Sequence, residues 1–408
     1  YRMVTNHMVS YCRVSYSLVS RVCYVYYAMQ SPFIYGKITS EPAFTDRIDE
    51  TAKLIANFES GINTIIISPR RWGKSSLVKH AADKIAGQNP ANKVIQIDLF
   101  QIRSEEEFYN HYAQVVIKAT SDKLDDWINT AKSLLGKFVP KISIGIDPQT
   151  EFQISLDVKS QPQSAIDILN LPQKIAEEKG LKVLVCLDEF QNITFFDSPT
   201  QFQQILRSAG QHHQQVVYVL YGSKRTMLYD LFEHRSKPLY KFGELLPLQL
   251  IDARHWIPFL IERFAQGKKK ITEANAAEIV ELTCGHPYYT QQLSHFIWLR
   301  TPGTVTKPII ADALDEILTT QSIFFEREVE QFSNTQLRFL SAVARGYTNG
   351  LSSVDRMMEF KLGTSANVTK NKRRLIDLEI LYQQNGNLGF IDPMFDLWFR
   401  KRFLKLPD

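Results

Sequence analysis

The sequence predicts an α/β fold with a parallel sheet, extended by an all-helical segment and a C-terminal winged helix. Three observations carry that prediction. Thr64-Ile65-Ile66-Ile67 is a short β-branched run that passes through a tight loop into a helix, and "LKVLVCLDEFQ" (181–191) is a second apolar run that ends in two acids. Apolar runs that long, without alternation, belong to strands buried on both faces, as in parallel sheets. Beyond residue 249 the pattern becomes helical, and "ILYQQNGNLGFI" (380–391) sets two strands around Asn385-Gly386, a strong hairpin signal.

A chain of 408 residues exceeds one ordinary core, and 44% hydrophobic with 12% aromatic residues fits a folded protein rather than a disordered one. The net charge of +5 is unevenly spread: +3 in residues 1–28, +5 from Ser333 to the end, and −3 between them. Cys12, Cys23, Cys186 and Cys284 form no C-x-x-C pair and no metal-ligand spacing, which points to a reducing cytosol, with Cys186 a small core residue. Residues 1–28 carry arginines between short apolar runs, with no membrane-span or signal-peptide pattern. They are read as a non-native or disordered leader, translated upstream sequence ahead of a native start at Met29. A membrane-associated leader is the other reading. No membrane partner is expected of the rest.

"IIISPRRWGKSSLV" (65–78) holds the loop. It ends in Gly73-Lys74-Ser75 as G-x-x-x-x-G-K-[ST] requires, but Ser68 stands where the first glycine belongs. Strand, loop, then a helix with Leu77, Val78, Ala81, Ala82 and Ile85 at helical spacing is the context that supports a phosphate loop; Gly87 is placed to end that helix. Lys74 would place its ammonium on the β- and γ-phosphates, and the Ser75 hydroxyl would ligate Mg²⁺. Ser68 is tolerable if its backbone avoids a glycine-only conformation. Pro69 gives up one donor, so the loop relies on the amides of residues 71–75. Asp188 at the end of the second run would hold Mg²⁺ through water, and Glu189 would orient or deprotonate the attacking water. The competing reading is a buried strand ending in two solvated acids. "VVYVLYGS" (216–223) is a third strand, expected beside the second; Ser223, Lys224 or Arg225 would then reach the γ-phosphate, or serve as plain loop residues.

Together S-P-R-R-W-G-K-S-S-L, L-D-E-F-Q, "FQQILRSAGQHH" and "YGSKRTML" resemble the archaeal-type ATPases, AAA+-related P-loop NTPases of the STAND group. The resemblance runs from about Ser31 to the end and takes in "FTDRIDE" (44–50), "KPLYKFG" (237–243), "CGHPYY" (284–289) and "IDPMFDLWF" (391–399). In that family serine at the first loop position is common, which implies a working loop here. The resemblance implies a nucleotide site of Phe44 and Arg47 near the adenine, with Ser68, Pro69, Arg70, Arg71, Trp72, Gly73, Lys74, Ser75 and Ser76 around the phosphates. Gly285-His286-Pro287 would open a lid helix facing the nucleotide. His286 is either a phosphate sensor or a buried turn histidine. Arg70 and Arg71 touch nucleotide or partner, or are simply exposed. Arg207 and Arg235 are arginine-finger candidates, though many STAND proteins lack one and turn over slowly.

The boundaries read from composition are 29–248 for the core with a hairpin insertion, 249–332 for the lid and 333–408 for the winged helix. "EEEFYNHYAQVVIKATSDKLDDWINTAKSLLGKF" reads as helix, and "KISIGIDPQTEFQISLDV" as a hairpin around Asp147-Pro148, either a partner-facing insertion or a sheet edge. In the lid, Trp256, Leu260 and Phe264 mark one helix, Ala277, Val280 and Cys284 the next before Gly285, and Ile310, Leu314, Ile317 and Leu318 a third. Ser333 and Gln336 form a capping box, Ser353 is placed to cap a second helix ended by Gly363, and a third runs from Thr364 to about Leu378. Lys370, Lys372, Arg373 and Arg374 on that third helix suit DNA phosphates. They equally suit a helix C-terminus in a module that clamps the lid or binds protein.

The resulting expectation is a Mg²⁺-dependent ATP-binding switch of slow turnover, in which ATP holds lid and wing against the core, with a protein partner or self-association. A DNA-binding ATPase resembling origin-recognition factors is the alternative, and a nucleotide-binding scaffold without hydrolysis a third reading.

Overall fold

A computed structural model describes residues 31–39, 44–121, 123–135, 141–143, 153–156 and 162–407. The leader 1–28, the start at Met29 and the Asp147-Pro148 turn lie outside them.

The strands in chain order are β1 Thr64–Ile67, β2 Asn92–Asp98, β3 Lys141–Ser143, β4 Gln153–Ser155, β5 Lys182–Asp188, β6 Val216–Gly222, β7 Glu244–Pro247, β8 Leu381–Gln384 and β9 Asn387–Phe390. Five of them form one parallel sheet in the order β2-β5-β6-β1-β7. Side chains alternate between its faces. Ile65, Ile67, Val183, Val185, Leu187, Tyr218 and Leu220 enter one apolar cluster, while Ile66, Leu184, Cys186, Val217 and Val219 enter the other. Burial on both faces is why these strands read as unbroken apolar runs. Cys186 is fully buried there, as expected. β7 escapes the sequence reading, because "ELLP" is too short and only half-buried to show a pattern.

Parallel strands all end on one edge, so the loop after β1, the acids after β5 and Ser223 after β6 are carried to the same side. In open α/β sheets that carboxyl-end edge is where ligands bind. The helix after the loop, Lys74–Gln88, covers one face and runs one residue past Gly87, ending on extended Asn89. The long predicted helix after β2 is two, Glu105–Ala119 and Leu124–Leu135. Between them Thr120 bonds its hydroxyl back to the Val116 carbonyl and Trp127 donates to the Ser121 carbonyl, which stabilises the break. β3 and β4 form the predicted hairpin insertion as an antiparallel pair.

After the sheet come four helices, Ala253–Gln266, Glu273–Leu282, Pro287–Arg300 and Lys307–Glu330. Trp256, Leu260 and Phe264 are all buried; in the next helix the buried face is Ala276, Ile279 and Val280 rather than Ala277, and Cys284, in the left-handed conformation, lies past its end at Leu282. Asn334–Ala344 follows with its Ser333–Gln336 capping box formed. Ser353 stands at the N-cap of a short helix, Val354–Glu359, without a side-chain bond, and that helix ends at Phe360, before Gly363. Ser365–Asp377 is capped by Thr364. Asn385 and Gly386 both have positive φ at the turn between β8 and β9, the signature of a type I′ hairpin. Pro393–Trp398 follows, capped by Asp392, and runs into a π-helical turn, Phe399–Phe403. Residues from Ile251 to Phe399 share one apolar cluster, joined by Phe33 from the N-terminal segment. Lid and C-terminal module therefore share one apolar core, and polar contacts such as Trp398 to Ser322 and Tyr289 to Asp392 also join them. No helix among the described residues is long and apolar enough to cross a membrane.

Candidate functional site

A cleft of 540 Å³ lies along the carboxyl edge of the sheet, between the loop after β1 and the helical body. Its floor is Arg70 to Ser76 with Asp188, Glu189 and Ser223; its roof is Ile251, Trp256, Pro287, Tyr288 and Gln291; its far end is residues 34–39 with Phe44, Thr45 and Arg47.

The loop curls because Arg71 (φ 63°) and Gly73 (φ 88°) adopt the left-handed conformation. Ser68 does not, which is why serine is tolerated at the first position: the glycine-only geometry sits elsewhere in the loop. Gly73 is the N-cap of the following helix, so that helix N-terminus opens into the cleft. Inside the curl Lys74 is buried and donates to the Ser68 (3.0 Å) and Pro69 (2.7 Å) carbonyls. Burial pushes its ammonium down to about 8, against the pull of Glu189, Asp188 and Glu379.

Ser75 donates its hydroxyl to Asp188 Oδ2 at 2.9 Å, across 113 positions of sequence. Burial raises the Asp188 carboxyl to about 6, and Asp98 adds to the rise from directly across the β2–β5 register. A hydroxyl and a partly buried carboxylate are oxygen donors of the kind a small divalent cation prefers, so the pair fits Mg²⁺. Glu189 adopts the left-handed conformation, φ 49°. Its Oε2 accepts from Ser223 Oγ (2.8 Å), from the Ser223 amide (3.2 Å) and from Gln191. Burial works to raise that carboxyl, but the donors from Gln191 and Ser223, with Lys74, hold it below the usual range.

Of the other predicted residues, Phe44 lines the cleft and stacks on His80, ring centroids 4.4 Å apart. Ser76 lines it too, and its hydroxyl accepts from the Thr39 amide at 3.0 Å. Arg47 is buried, with its guanidinium donating to Glu50 (2.7 Å), the Trp72 carbonyl (3.2 Å) and the Gln249 carbonyl (2.7 Å). It thus ties the loop to the segment that leads into the lid. Arg71 lies over the Tyr288 ring, 4.6 Å from its centroid, and Trp72 meets His286 and Tyr382 edge-on. Pro287 begins the roof helix. Gly285 just before it is required by a close approach: a Cβ there would stand 2.2 Å from the Ile251 carbonyl oxygen.

Other predicted residues stand away from the cleft. Ser68 and Pro69 are buried beneath the loop and do not line it. His286 is also buried outside it, against Trp72 and Tyr289, and burial drives its imidazole down to about 3, so the ring is neutral. Arg207 donates to the Pro238 (2.7 Å) and Tyr240 (2.6 Å) carbonyls, and neither it nor exposed Arg235 lines the cleft. Lys370, Arg373 and Arg374 are exposed and Lys372 half-buried on the helix Ser365–Asp377.

Residues 34–39, Gln291, Asp98 and Gln191 escape sequence reading. Asp98 had a signal, an acid ending a strand. The segment 34–39 had none, because it is irregular and is held by its partners: Phe33 packs on Phe264, and the Ile34 amide donates to Gln291 Oε1 at 3.3 Å.

No family model matches the chain, and no curated protein matches it. Solved structures do. The Walker-type ATPase paby2304 of Pyrococcus abyssi is 20% identical, with a TM-score of 0.64 over 90% of this chain and 99% of that one. The Aeropyrum pernix ORC2 protein, solved as ADPNP–ADP complexes, is 15% identical, with a TM-score of 0.53 over 90% of this chain and 96% of that one. Its ADP form gives 13% and 0.51 over 92% and 98%. The chain therefore has the fold of the P-loop ATPases related to AAA+, and the resemblance to archaeal-type ATPases holds at the level of fold.

Proposed function

We propose that the chain is an ATP-binding P-loop ATPase, slow and Mg²⁺-dependent, that works as a nucleotide-driven switch. The observation that carries this reading is the meeting of Lys74, Ser75, Asp188, Glu189 and Ser223 on one floor, from three strand ends, in a cleft of 540 Å³. In this reading Lys74 leaves the loop carbonyls for the β- and γ-phosphates, joined by the amides of residues 71–75. Ser75 and Asp188 hold Mg²⁺, which neutralises phosphate charge when bound. Glu189 orients the attacking water, with Ser223 between it and the terminal phosphate. Phe44, residues 34–39, Pro287 and Tyr288 enclose the base. Arg47 contributes by fixing the Trp72 carbonyl rather than by touching adenine, and His286 by packing under the loop.

The division into 29–248, 249–332 and 333–408 fits this reading, with the last two moving together because they share a core. A cytosolic setting and an unidentified protein partner or a second copy complete it. The test is ATP turnover by the full chain with Mg²⁺, beside Lys74→Ala and Glu189→Gln. Slow hydrolysis lost in both supports the ATPase. Turnover unaltered in Glu189→Gln removes Glu189 as the base, and nucleotide binding without turnover leaves the scaffold reading.

A second reading, a DNA-binding ATPase, is favoured by the exposed cations Lys370, Arg373 and Arg374 and by the fold shared with the Aeropyrum pernix ORC2 protein. Salt-dependent duplex affinity, weakened when Lys370, Lys372, Arg373 and Arg374 are neutralised together, would support it. Affinity unchanged in that variant would reject it.

A further inference from the structure

The edge of the C-terminal hairpin lies against the phosphate loop and the strand ends beside it. Glu379, just ahead of β8, holds its backbone in the left-handed region (φ 59°) and accepts from the Arg225 amide at 3.1 Å. Arg225 begins the nine-residue helix Arg225–Glu233, whose N-cap Lys224 supplies no side-chain bond. Glu379 therefore caps, from 154 residues away, the helix that starts two positions after Ser223. Along β8, Tyr382 meets the Trp72 ring edge-on at 6.5 Å, and Gln384 donates to Gln249 Oε1 at 3.0 Å. Past β9, Asp392 accepts from the Tyr289 hydroxyl, which also accepts from Arg71 at 3.5 Å.

Glu379 thus sits at the phosphate end of the floor, where its charge acts on Lys74 alongside Glu189 and Asp188. We infer that Glu379 is an acidic latch which holds the helical body on the loop and which the terminal phosphate of a bound nucleoside triphosphate loosens. The inference rests on the nucleotide-site reading above. Two anions would draw on the same positive neighbours, the Lys74 ammonium and the amide end of the Arg225 helix. Like charges that share the same positive neighbours in a partly buried site weaken each other's hold. A diphosphate lacks the competing group and leaves the latch closed. Because lid and C-terminal module share one core, release at Glu379 shifts both. The sign is opposite to the expectation that ATP clamps the wing onto the core.

The test is amide hydrogen exchange over residues 379–390 of the full chain, without nucleotide, with Mg²⁺ and ADP, and with Mg²⁺ and the non-hydrolysable analogue ADPNP. Calorimetry on the same samples records binding. The latch predicts exchange about tenfold faster with ADPNP than with ADP, the scale set by losing one charge-assisted hydrogen bond. Glu379→Gln should raise exchange without nucleotide by a similar factor and abolish the ADPNP–ADP difference. Gln384→Ala, which loosens the hairpin without touching charge, should raise exchange in every state and keep the difference. Equal or slower exchange with bound ADPNP overturns the latch. If neither nucleotide binds, the nucleotide-site reading fails instead, and unchanged exchange in nucleotide-free Glu379→Gln would dispose of the docking contact as well.

Discussion

The cleft has a floor and a roof built by different physics. Asp188, Glu189, Ser223 and the loop that carries Lys74 and Ser75 stand at or just past the ends of β5, β6 and β1, three hydrogen-bonded parallel strands, so their spacing belongs to the register of the sheet. The roof meets that floor through single side chains: Arg71 over Tyr288, Trp72 against Tyr382, Gln384 to Gln249, Glu379 to the Arg225 amide. Each such contact contributes about 0.5–2 kcal/mol and can be lost without disturbing the next strand. The floor is thus suited to holding reacting groups still, and the roof to moving as a body. In the proposed function, chemistry falls to the first and control to the second.

Changes in the floor should stop the reaction while leaving the roof docked. Glu189→Gln is expected to lower ATP turnover by about 100-fold or more while nucleotide affinity stays within a few-fold, measured by phosphate release and calorimetry. Retained turnover would break the assignment of chemistry to the floor.

Arg47→Ala attacks the join between the two. It removes a buried guanidinium from Glu50 and from two carbonyls, and is expected to cost about 3 kcal/mol in urea unfolding. Two separate unfolding transitions in that variant would sharpen the comparison, because they would show the roof detaching ahead of the sheet.

Asp188→Asn probes strain held in the floor. Burial holds Asp188 at about 6, above its ordinary 3.8, so the folded protein binds that proton more tightly than the unfolded chain. Its contribution to stability is therefore full below about pH 4 and is lost as pH rises through 6. In the absence of Mg²⁺ the Asn variant should be more stable than the parent by about 1–2 kcal/mol at pH 7.5, an advantage that fades by about pH 4. An advantage independent of pH would mean that Asp188 is not strained by its charge.

The smallest effect is expected from Arg71→Gly. Glycine relieves a left-handed backbone worth about 1 kcal/mol and forfeits a cation–π contact of about the same size, so net stability should change by under about 0.5 kcal/mol. Hydrogen exchange in the roof helix Pro287–Arg300 should nevertheless quicken. Unchanged exchange there would show that Arg71 does not couple loop to roof.

Much of the floor was legible in the chain because its parts are local. "GKS" after a β-branched run and "DE" after another each carry their geometry within ten residues. Ser68 looked doubtful only because which loop residue takes a positive φ is not written in the spacing; the structure gives that role to Arg71 and Gly73. The roof was legible only as helices. Nothing local in "IYGKIT" marks it as cleft wall, and nothing in "LEILYQQ" says that Glu379, Tyr382 and Gln384 face the loop rather than solvent or DNA. His286 shows the same limit: the sequence left a phosphate sensor and a buried turn histidine both open, and packing against Trp72 and Tyr289 decided for the buried one.

By itself the sequence determined most of the strands and helices, where many of them are capped, and which side chains are candidates for phosphate chemistry, because periodicity, caps and loop motifs act over a few residues. Only the tertiary structure decided that β1 lies between β6 and β7 with β2 at the far edge, and that lid and C-terminal module share one core. It also decided that Glu379 rests at the phosphate end of the sheet. Those outcomes depend on apolar surfaces more than a hundred residues apart finding each other, and burial has no preference for sequence distance.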